Sequence, residues 1–216
     1  MNKKEAPKTT TSPGAALRAE FGNMDIYLFD QLLKGRLDGR ERILDAGCGG
    51  GRNLEYFIKN GFDVYGMDRN PEAIEAVVGM GSLHGISEID NHFKLAAIED
   101  KCFPLESFDL VICNAVLHFA DNQAHFGTML RVCWQYLKPG GLFFCRLATK
   151  IGIADRISPI RNGRYLLPDG SVRYLTDLDE MLKYSEQLGA RQLEPIKTTD
   201  VQGLRSMTTW VLEKPI

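Results

Sequence analysis

The feature of the sequence best suited to chemistry is a glycine-rich loop that lies between two acidic residues. Asp45 ends an apolar segment, four glycines fall within residues 47–51, and Asp68 ends the next apolar segment, 23 residues after Asp45. Glycines at the end of a strand allow the backbone to approach a ligand closely, and a following helix adds free amide donors. The loop therefore predicts a binding site for a nucleotide-like cofactor.

The residues around these glycines distinguish between classes of cofactor. The dinucleotide fingerprint G-x-G-x-x-G needs a third glycine at position 52, where this chain has Arg52, and the Gly-Lys-Ser/Thr of a phosphate loop is missing from the sequence. A carboxylate at Asp45 would repel a pyrophosphate but suits a cationic amino group, and Asp68 can accept hydrogen bonds from ribose hydroxyls. This combination predicts S-adenosylmethionine (SAM) as the cofactor and disfavours a nicotinamide-dependent oxidoreductase.

The periodicity of apolar residues predicts the elements that position the loop. Strands are expected at 41–46, 62–67, 92–98, 108–114, 142–147, and near 190–197 and 206–213. Helices are expected within 15–35, after Asn53, after Asn70-Pro71, over 126–137 and from Thr176-Asp177. The alternation of strands and helices predicts an α/β fold with a doubly wound, Rossmann-like, seven-stranded sheet, mostly parallel with an antiparallel C-terminal hairpin.

The chain is expected to hold one domain with a tail and two additions. Residues 1–14 are rich in Lys, Thr and Pro, which predicts a disordered tail. Residues 15–216 form the single domain, with a helical lid at 15–38 and a substrate-side insertion at 148–175. The insertion is long for a connection between a strand and its helix, and long loops of this kind are often functional.

Charge and cysteine content exclude several classes of partner. The net charge is −2, so we expect no strongly basic surface for nucleic acid or an anionic membrane. Five cysteines without a C-x-x-C pair predict neither a metal site nor a disulfide framework, and no apolar stretch is long enough for a membrane helix. These features predict a cytoplasmic monomer or homodimer whose partner is a small molecule.

Four motifs in the first two thirds of the chain resemble those of one enzyme family. ILDAGCGGGRN and VYGMDRNPEAI are similar to the first two motifs of class I SAM-dependent methyltransferases, of the methyltransferase type 11 kind. CFPLESFDLVICNAVLHF and LKPGGLFF resemble later segments of that family, in the same order across about residues 41–147. The Gly-Arg-Asn and Asp-Arg-Asn-Pro sequences are also similar to the tellurite-resistance methyltransferase branch.

The resemblance implies a set of cofactor contacts and a reaction, the transfer of a methyl group from SAM. In that family the loop acid and glycines face the methionine end of SAM, the second acid holds the ribose, and the residue after the fourth strand borders the methyl group. Carried over position by position, the cofactor-binding residues are Asp45, Gly47, Cys48, Gly49, Arg52, Asp68, Arg69, Ile98, Glu99 and Asn114.

Two of these assignments leave alternatives open. The acid that meets the adenine amino group is either Glu99 or Asp100; Glu99 is favoured, with Ile98 packing on the ring and Arg69 beside it. Arg52 either covers the cofactor loop or extends along the helix surface.

The remaining candidates concern catalysis and the methyl acceptor. A general base is needed only if the acceptor must lose a proton, and the candidates are His118 and, less favoured, His125. Asp25 and Tyr27 are candidates for the lid, and Pro168-Asp169-Gly170 predicts a turn between two short strands. Candidate substrate contacts, which suit an anionic acceptor, are Tyr27, Arg146, Arg161, Arg164 and Arg173.

The reading favoured by the sequence is methyl transfer to a small molecule. A SAM-binding protein without transferase activity and a methyltransferase that acts on protein or RNA are the alternatives. The motifs specify the methyl donor and leave the identity of the acceptor, and the atom that is methylated, open.

Overall fold

The computed structural model describes residues 12–216 of the chain. The tail expected over 1–14 lies, up to residue 11, outside the described residues. Ser12 is already the N-cap of the first helix, because its side chain accepts a hydrogen bond from the amide of Ala15 and Pro13 occupies the first helical position.

Seven helices occur in the described part of the chain. They are α1 (Pro13–Phe21), α2 (Ile26–Leu33), α3 (Glu55–Lys59), α4 (Pro71–Leu83), α5 (Ile89–His92), α6 (Gln123–Tyr136) and α7 (Leu178–Gln187). Within residues 12–216, none of these helices has the length and apolar character needed to cross a membrane.

Eleven strands are described, and most belong to one sheet. They are β1 (Arg42–Ala46), β2 (Asp63–Asp68), β3 (Phe93–Leu95), β4 (Phe108–Asn114), β5 (Leu137–Ala148), β6 (Ser158–Arg161), β7 (Arg164–Leu166), β8 (Val172–Tyr174), β9 (Arg191–Gln192), β10 (Lys197–Val201) and β11 (Arg205–Glu213).

The main sheet has the strand order β3-β2-β1-β4-β5-β11-β10, with the short β9 added at the edge of β11. β1 to β5 pair in parallel, whereas β11 is antiparallel to both β5 and β10. The predicted mostly parallel, Rossmann-like sheet with an antiparallel C-terminal hairpin is therefore confirmed. The strand order reverses on either side of β1, so the crevice at its carboxyl end is where ligands bind in sheets of this kind.

Two predicted strands were placed too broadly. The strand expected near 190–197 is interrupted: β9 ends at Gln192 and β10 begins at Lys197. Pro195 lies between them, and because proline has no amide hydrogen it cannot continue the ladder. The strand expected over 92–98 ends at Leu95, and Ile98–Asp100 instead form one 3₁₀ turn.

Apolar residues on both faces of the sheet form the core. In β1, Leu44 packs in one cluster with Phe126 of α6, and Ile43 packs in the other with Phe57 of α3. β4 alternates in the same way and is almost entirely buried, as expected for a strand covered on both faces. The rigid sheet therefore fixes the carboxyl ends of β1, β2 and β4 relative to one another.

The insertion at 148–175 forms a separate three-stranded antiparallel sheet in the order β6-β7-β8. The predicted turn at Pro168–Gly170 is confirmed: Asp169 accepts hydrogen bonds from both the amide and the hydroxyl of Ser171, and β7 and β8 pair on either side. This small sheet is followed by α7, whose start is capped by Asp177.

The cap of α7 gives a stability prediction. The carboxylate of Asp177 accepts a hydrogen bond of 2.9 Å from the amide of Glu180, and the carboxylate of Glu180 accepts one from the amide of Asp177. We expect Asp177→Ala to lower the free energy of unfolding by about 1 kcal/mol, because an amide at the helix start loses its partner. Urea unfolding of the variant would measure this change.

Asp179→Ala, in the same first turn but exposed, is the matched control and should change the free energy of unfolding by less than about 0.5 kcal/mol. Equal losses for the two variants would contradict the assignment of the cap to Asp177.

Candidate functional site

A cavity of about 200 Å³ lies in the crevice at the carboxyl ends of β1, β2 and β4. We call it the first cavity. Residues from the loops that follow these strands, from the 3₁₀ turn at 98–100 and from α6 surround it. Among the predicted site residues, it is lined by Gly47, Asp68, Arg69, Ile98, Glu99, Asn114 and His125.

The loop after β1 is held tightly over the neighbouring strand. The amides of Gly47 and Cys48 both donate to the carbonyl of Met67, at 2.8 and 3.0 Å. Gly47 has a φ of 85°, and a Cβ added there would lie 2.3 Å from Cγ2 of Val116. Both the backbone conformation and the close packing therefore require glycine at position 47.

Asp45 is buried beneath this loop. Its side chain is 1% exposed, and neither carboxylate oxygen has a hydrogen-bond partner among residues 12–216. Burial raises the pKa of Asp45 to about 8; the nearby charge of Arg52 and the side-chain amide of Asn53 lower it, and the charge of Asp68 raises it. A buried acid without a partner is costly to ionise, so the site as it stands favours a cationic ligand group next to Asp45.

Asp68 lies at the end of β2, on the edge of the first cavity. One carboxylate oxygen accepts a hydrogen bond from the amide of Gly49 and the other from the amide of Asn70, each at 2.9 Å. These two bonds fix the orientation of the carboxylate, and each oxygen retains a further lone pair for a ligand hydroxyl.

The two acids that the sequence left open at the adenine end have different surroundings. Glu99 lines the first cavity, and its Oε1 lies 3.0 Å from Nε2 of His125. Asp100 accepts a hydrogen bond of 2.7 Å from the amide of Ala97 and closes the 3₁₀ turn. Ile98 is buried and lines the cavity. Glu99, not Asp100, is therefore the acid at the cavity.

The end of β4 presents a second buried polar group without a partner. Asn114 is 7% exposed, and neither its amide nitrogen nor its amide oxygen has a hydrogen-bond partner in the described chain. Ala115 follows with a φ of 63°, an unfavourable conformation for a residue with a side chain. Strain of this kind at the end of a central strand is a common feature of functional sites.

A second cavity, of about 320 Å³, begins on the other side of Ala115. Ala115 lines both cavities, so they meet at the end of β4. Three arginines, one acid, one histidine and several apolar residues line this second cavity; they include His118, Arg146, Leu167, Asp169, Arg173, Arg205 and Met207.

The structure separates the four arginines that the sequence grouped together. Arg146 and Arg173 line the second cavity, whereas Arg161 and Arg164 line neither of the two cavities. Arg161 is exposed on β6, and the guanidinium of Arg164 lies 4.0 Å from Asp121. Arg164 on β7 pairs with Tyr174, the neighbour of Arg173 on β8, so Arg164 and Arg173 lie on opposite faces of the small sheet. The expected substrate contact of Arg161 and Arg164 stays a prediction.

His118 is buried at the wall of the second cavity, where its Nδ1 accepts a hydrogen bond of 3.0 Å from the amide of Ala148. Burial, together with the charges of Arg173 and Arg205, lowers the pKa of His118 to about 4. The ring is therefore neutral with its proton on Nε2, so it can donate a hydrogen bond but has no free lone pair. This geometry argues against the general base expected from the sequence.

Asp25, the N-cap of α2, contacts two arginines of the candidate site. Asp25 is 4% exposed, and its Oδ2 lies 3.2 Å from Nη1 of Arg146 and 3.6 Å from Nη2 of Arg52. The guanidinium of Arg146 also packs 5.0 Å from the ring of Tyr27, whose hydroxyl bonds to Thr199. Arg52 therefore contacts Asp25 at the start of α2, in the segment expected to form the lid, and does not extend along α3.

Sequence reasoning missed several cavity residues. Arg205 begins β11, far along the chain from the other arginines, and no local motif marks it. Ala115 and Phe119 follow β4 inside a recognised segment, but their residue types alone carry no signal for a ligand contact. Only the packing of β11 and β8 next to β4 and β5 brings these positions together.

Comparison with known proteins agrees with this geometry. Residues 44–145 match the methyltransferase domain family. The ubiquinone biosynthesis O-methyltransferase of Xanthomonas campestris pv. campestris (strain B100) is 30% identical over 168 residues, which cover 76% of this chain. The chain spans 65% of the length of that relative.

Solved structures share the fold at lower identity. The 1,6-didemethyltoxoflavin-N1-methyltransferase of Burkholderia thailandensis, solved with its substrate and S-adenosylhomocysteine, has a TM-score of 0.67 and 18% identity, covering 94% of this chain and 83% of that one. TehB from Haemophilus influenzae has a TM-score of 0.64 and 18% identity, covering 86% and 62%. These matches make the chain similar in sequence to SAM-dependent methyltransferases, and the solved structures show that it shares their fold.

Proposed function

We propose that this protein transfers a methyl group from SAM to a small molecule at the point where the two cavities meet. The observation that carries the proposal is a pair of buried polar side chains without hydrogen-bond partners among the described residues: Asn114, which lines the first cavity next to Ala115, and Asp45, which lies at the end of β1 beneath the loop that lines this cavity. Polar groups are seldom buried without partners unless a ligand supplies them.

The described residues fit SAM in the first cavity. Asp45 would hold the amino group and Asp68 the ribose hydroxyls, since both carboxylates have unused lone pairs. The loop at Gly47, Cys48 and Gly49 would allow the methionine end to lie close to the backbone. Arg52 would act from the side of the lid, through its contact with Asp25.

The adenine end would lie against the 3₁₀ turn. Ile98 is the apolar residue at this wall, and Glu99 is the acid that can accept a hydrogen bond from the adenine amino group. Arg69 is exposed on the opposite rim of the first cavity.

When bound, SAM supplies a methyl group on a positively charged sulfur, which an acceptor can displace in line. The protein's own contribution is to align the two molecules and to exclude water. Asn114 would orient the reacting groups, because its amide is buried at the junction and offers both a donor and an acceptor. His118, which has no free lone pair to act as a base, would donate a hydrogen bond from its Nε2 instead.

The size and position of the second cavity favour a small acceptor. Its volume of about 320 Å³ lies in the range of small-molecule sites, and the β6-β7-β8 sheet forms part of its wall. Two of the similar proteins are named for reactions of small molecules. One is an O-methyltransferase of ubiquinone biosynthesis, and the other is a 1,6-didemethyltoxoflavin-N1-methyltransferase.

The proposal can be tested in two steps on the full chain. Isothermal titration with SAM should show one-site binding with micromolar affinity. Incubation with SAM and a panel of small phenols, thiols, amines and organic acids should then produce S-adenosylhomocysteine, detected by mass spectrometry. SAM binding without turnover by any panel member, together with methyl transfer to cellular protein or RNA, would contradict the small-molecule acceptor.

The pKa of Asp45 gives a prediction for cofactor binding. With a pKa of about 8, the free carboxyl carries a proton at neutral pH, and the ammonium group of SAM favours its ionised form. Binding at pH 7 should therefore release between about half a proton and one proton per SAM from Asp45, and the affinity should rise as the pH increases from 6 towards 8.

Titrations in two buffers with different ionisation enthalpies would measure this release. Asp45→Asn should bind SAM more weakly and release no proton from this position. A binding heat that does not depend on the buffer would show that the carboxylate of Asp45 is not the partner of the ammonium group.

The left-handed backbone at Gly47 gives a second prediction. In Gly47→Ala the new Cβ would meet Val116 and would disfavour the φ of 85°, so the loop should move and SAM should bind at least about tenfold more weakly. Gly50→Ala is the control, since its Cβ would lie 3.8 Å from the nearest atom, on Ala76. Similar affinities for the two variants would contradict the role given to the loop.

A further inference from the structure

The second cavity has a chemical character that the family motifs do not specify. We infer that it binds a small organic acid, whose anionic group is held by Arg173 and Arg205 and whose apolar part points towards Ala115. This inference rests on the proposed function, because it names the class of acceptor that would meet the methyl group.

The charges that line the second cavity are predominantly positive. Three arginines face one acid: Arg146, Arg173 and Arg205 against Asp169. Arg146 has a separate partner in Asp25, at 3.2 Å, outside the cavity lining. Two positive side chains and one negative one therefore remain to be balanced inside the cavity, which favours an anionic ligand.

Arg205 is held in place while donors remain free. Its Nη1 lies 3.5 Å from Oδ2 of Asp169, and the other oxygen of Asp169 is occupied by the amide and hydroxyl of Ser171. The turn at Asp169–Ser171 thus positions Arg205 without using all five of its donors. An acid group placed between Arg205 and Arg173 would accept hydrogen bonds from the guanidinium donors that remain unused.

Arg173 lies where the two cavities come together. Its guanidinium packs 4.6 Å above the ring of Phe119, which lines the first cavity, and it donates to the carbonyl of Val172. No acidic partner within 4.0 Å is found for Arg173 among residues 12–216. This cation is therefore open to a ligand close to the proposed reaction centre.

His118 lies in the same positively charged surroundings, at the wall of the second cavity. The imidazole ring stays neutral, with a pKa of about 4, because it is buried and because Arg173 and Arg205 face it. A cationic acceptor would meet the same repulsion, whereas an anion would not. The Nε2–H of His118 can in addition donate to an acid or hydroxyl oxygen.

Apart from Ser171, the rest of the cavity wall is apolar. Ala148, Leu167, Val201 and Met207 line it, and Leu167 and Met207 belong to a small hydrophobic cluster. An inorganic oxyanion would fill only a small part of about 320 Å³ and would leave this wall without contacts. An organic acid uses both the cationic end and the apolar wall.

Matched acids and amides test the inference directly. The probes are benzoate with benzamide, 4-hydroxybenzoate with 4-hydroxybenzamide, and indole-3-acetate with indole-3-acetamide, titrated against the full chain with S-adenosylhomocysteine present and followed by ligand-observed NMR. At least one acid should bind about tenfold or more tightly than its amide, since the pair differs in charge and little in shape.

The arginine variants connect that preference to the second cavity. Arg173→Gln and Arg205→Gln should each reduce the preference for the acid by about threefold to tenfold, and the double variant should abolish it. Arg191→Gln, which removes a surface arginine on β9 outside both cavities, should keep the preference of the original chain.

Two further arms make each outcome decisive. Inorganic sulfate should bind more weakly than the best organic acid; equal binding would overturn the organic part of the inference. Equal binding of acids and amides, or no binding of any acid, would overturn it entirely. SAM binding by the same proteins is measured in a separate titration. A failure of the proposed function would appear as a loss of SAM binding, whereas a failure of this inference would appear as equal binding of acids and amides.

Discussion

The structure depends on one costly arrangement, an ionisable carboxyl group buried at the end of the central strand. Asp45 lies under the glycine loop with both oxygens unpaired among the described residues, and burial holds its pKa at about 8. The sheet must be rigid to keep such a group out of water, and the cores on its two faces provide that rigidity. The glycine loop covers this carboxyl group, and the strained end of β4 lies next to β1 in the same sheet.

Much of the cofactor half could be predicted from the sequence because its signals are local. Asp45, the glycines and Asp68 stand at strand ends, where the type of residue and its spacing reflect backbone requirements such as the left-handed φ at Gly47. The alternation of apolar strands and helices also predicts the parallel sheet. Boundaries were less accurate where one residue decides them, as Pro195 does between β9 and β10.

The second cavity could not be predicted in the same way, because its residues come from segments distant in sequence. Arg146 lies near the end of β5, Arg173 lies on β8 and Arg205 begins β11. A cluster of arginines in the insertion drew attention to Arg161 and Arg164, but strand pairing turns these two away from the cavity. The role of His118 likewise depends on which ring nitrogen accepts the amide of Ala148, a detail that no sequence pattern contains.

The carboxylate of Asp25 has a consequence for the thermodynamics of the whole site. It caps α2 and at the same time neutralises Arg52, beside the cofactor loop, and Arg146, at the second cavity. A ligand that draws either arginine away changes the charge felt by the other, and so the affinity of the other cavity. Such coupling is reciprocal, so each ligand alters the binding of its neighbour by the same factor. If Arg52 and Arg146 each contact a ligand, Asp25 would join the two binding events into one linked equilibrium.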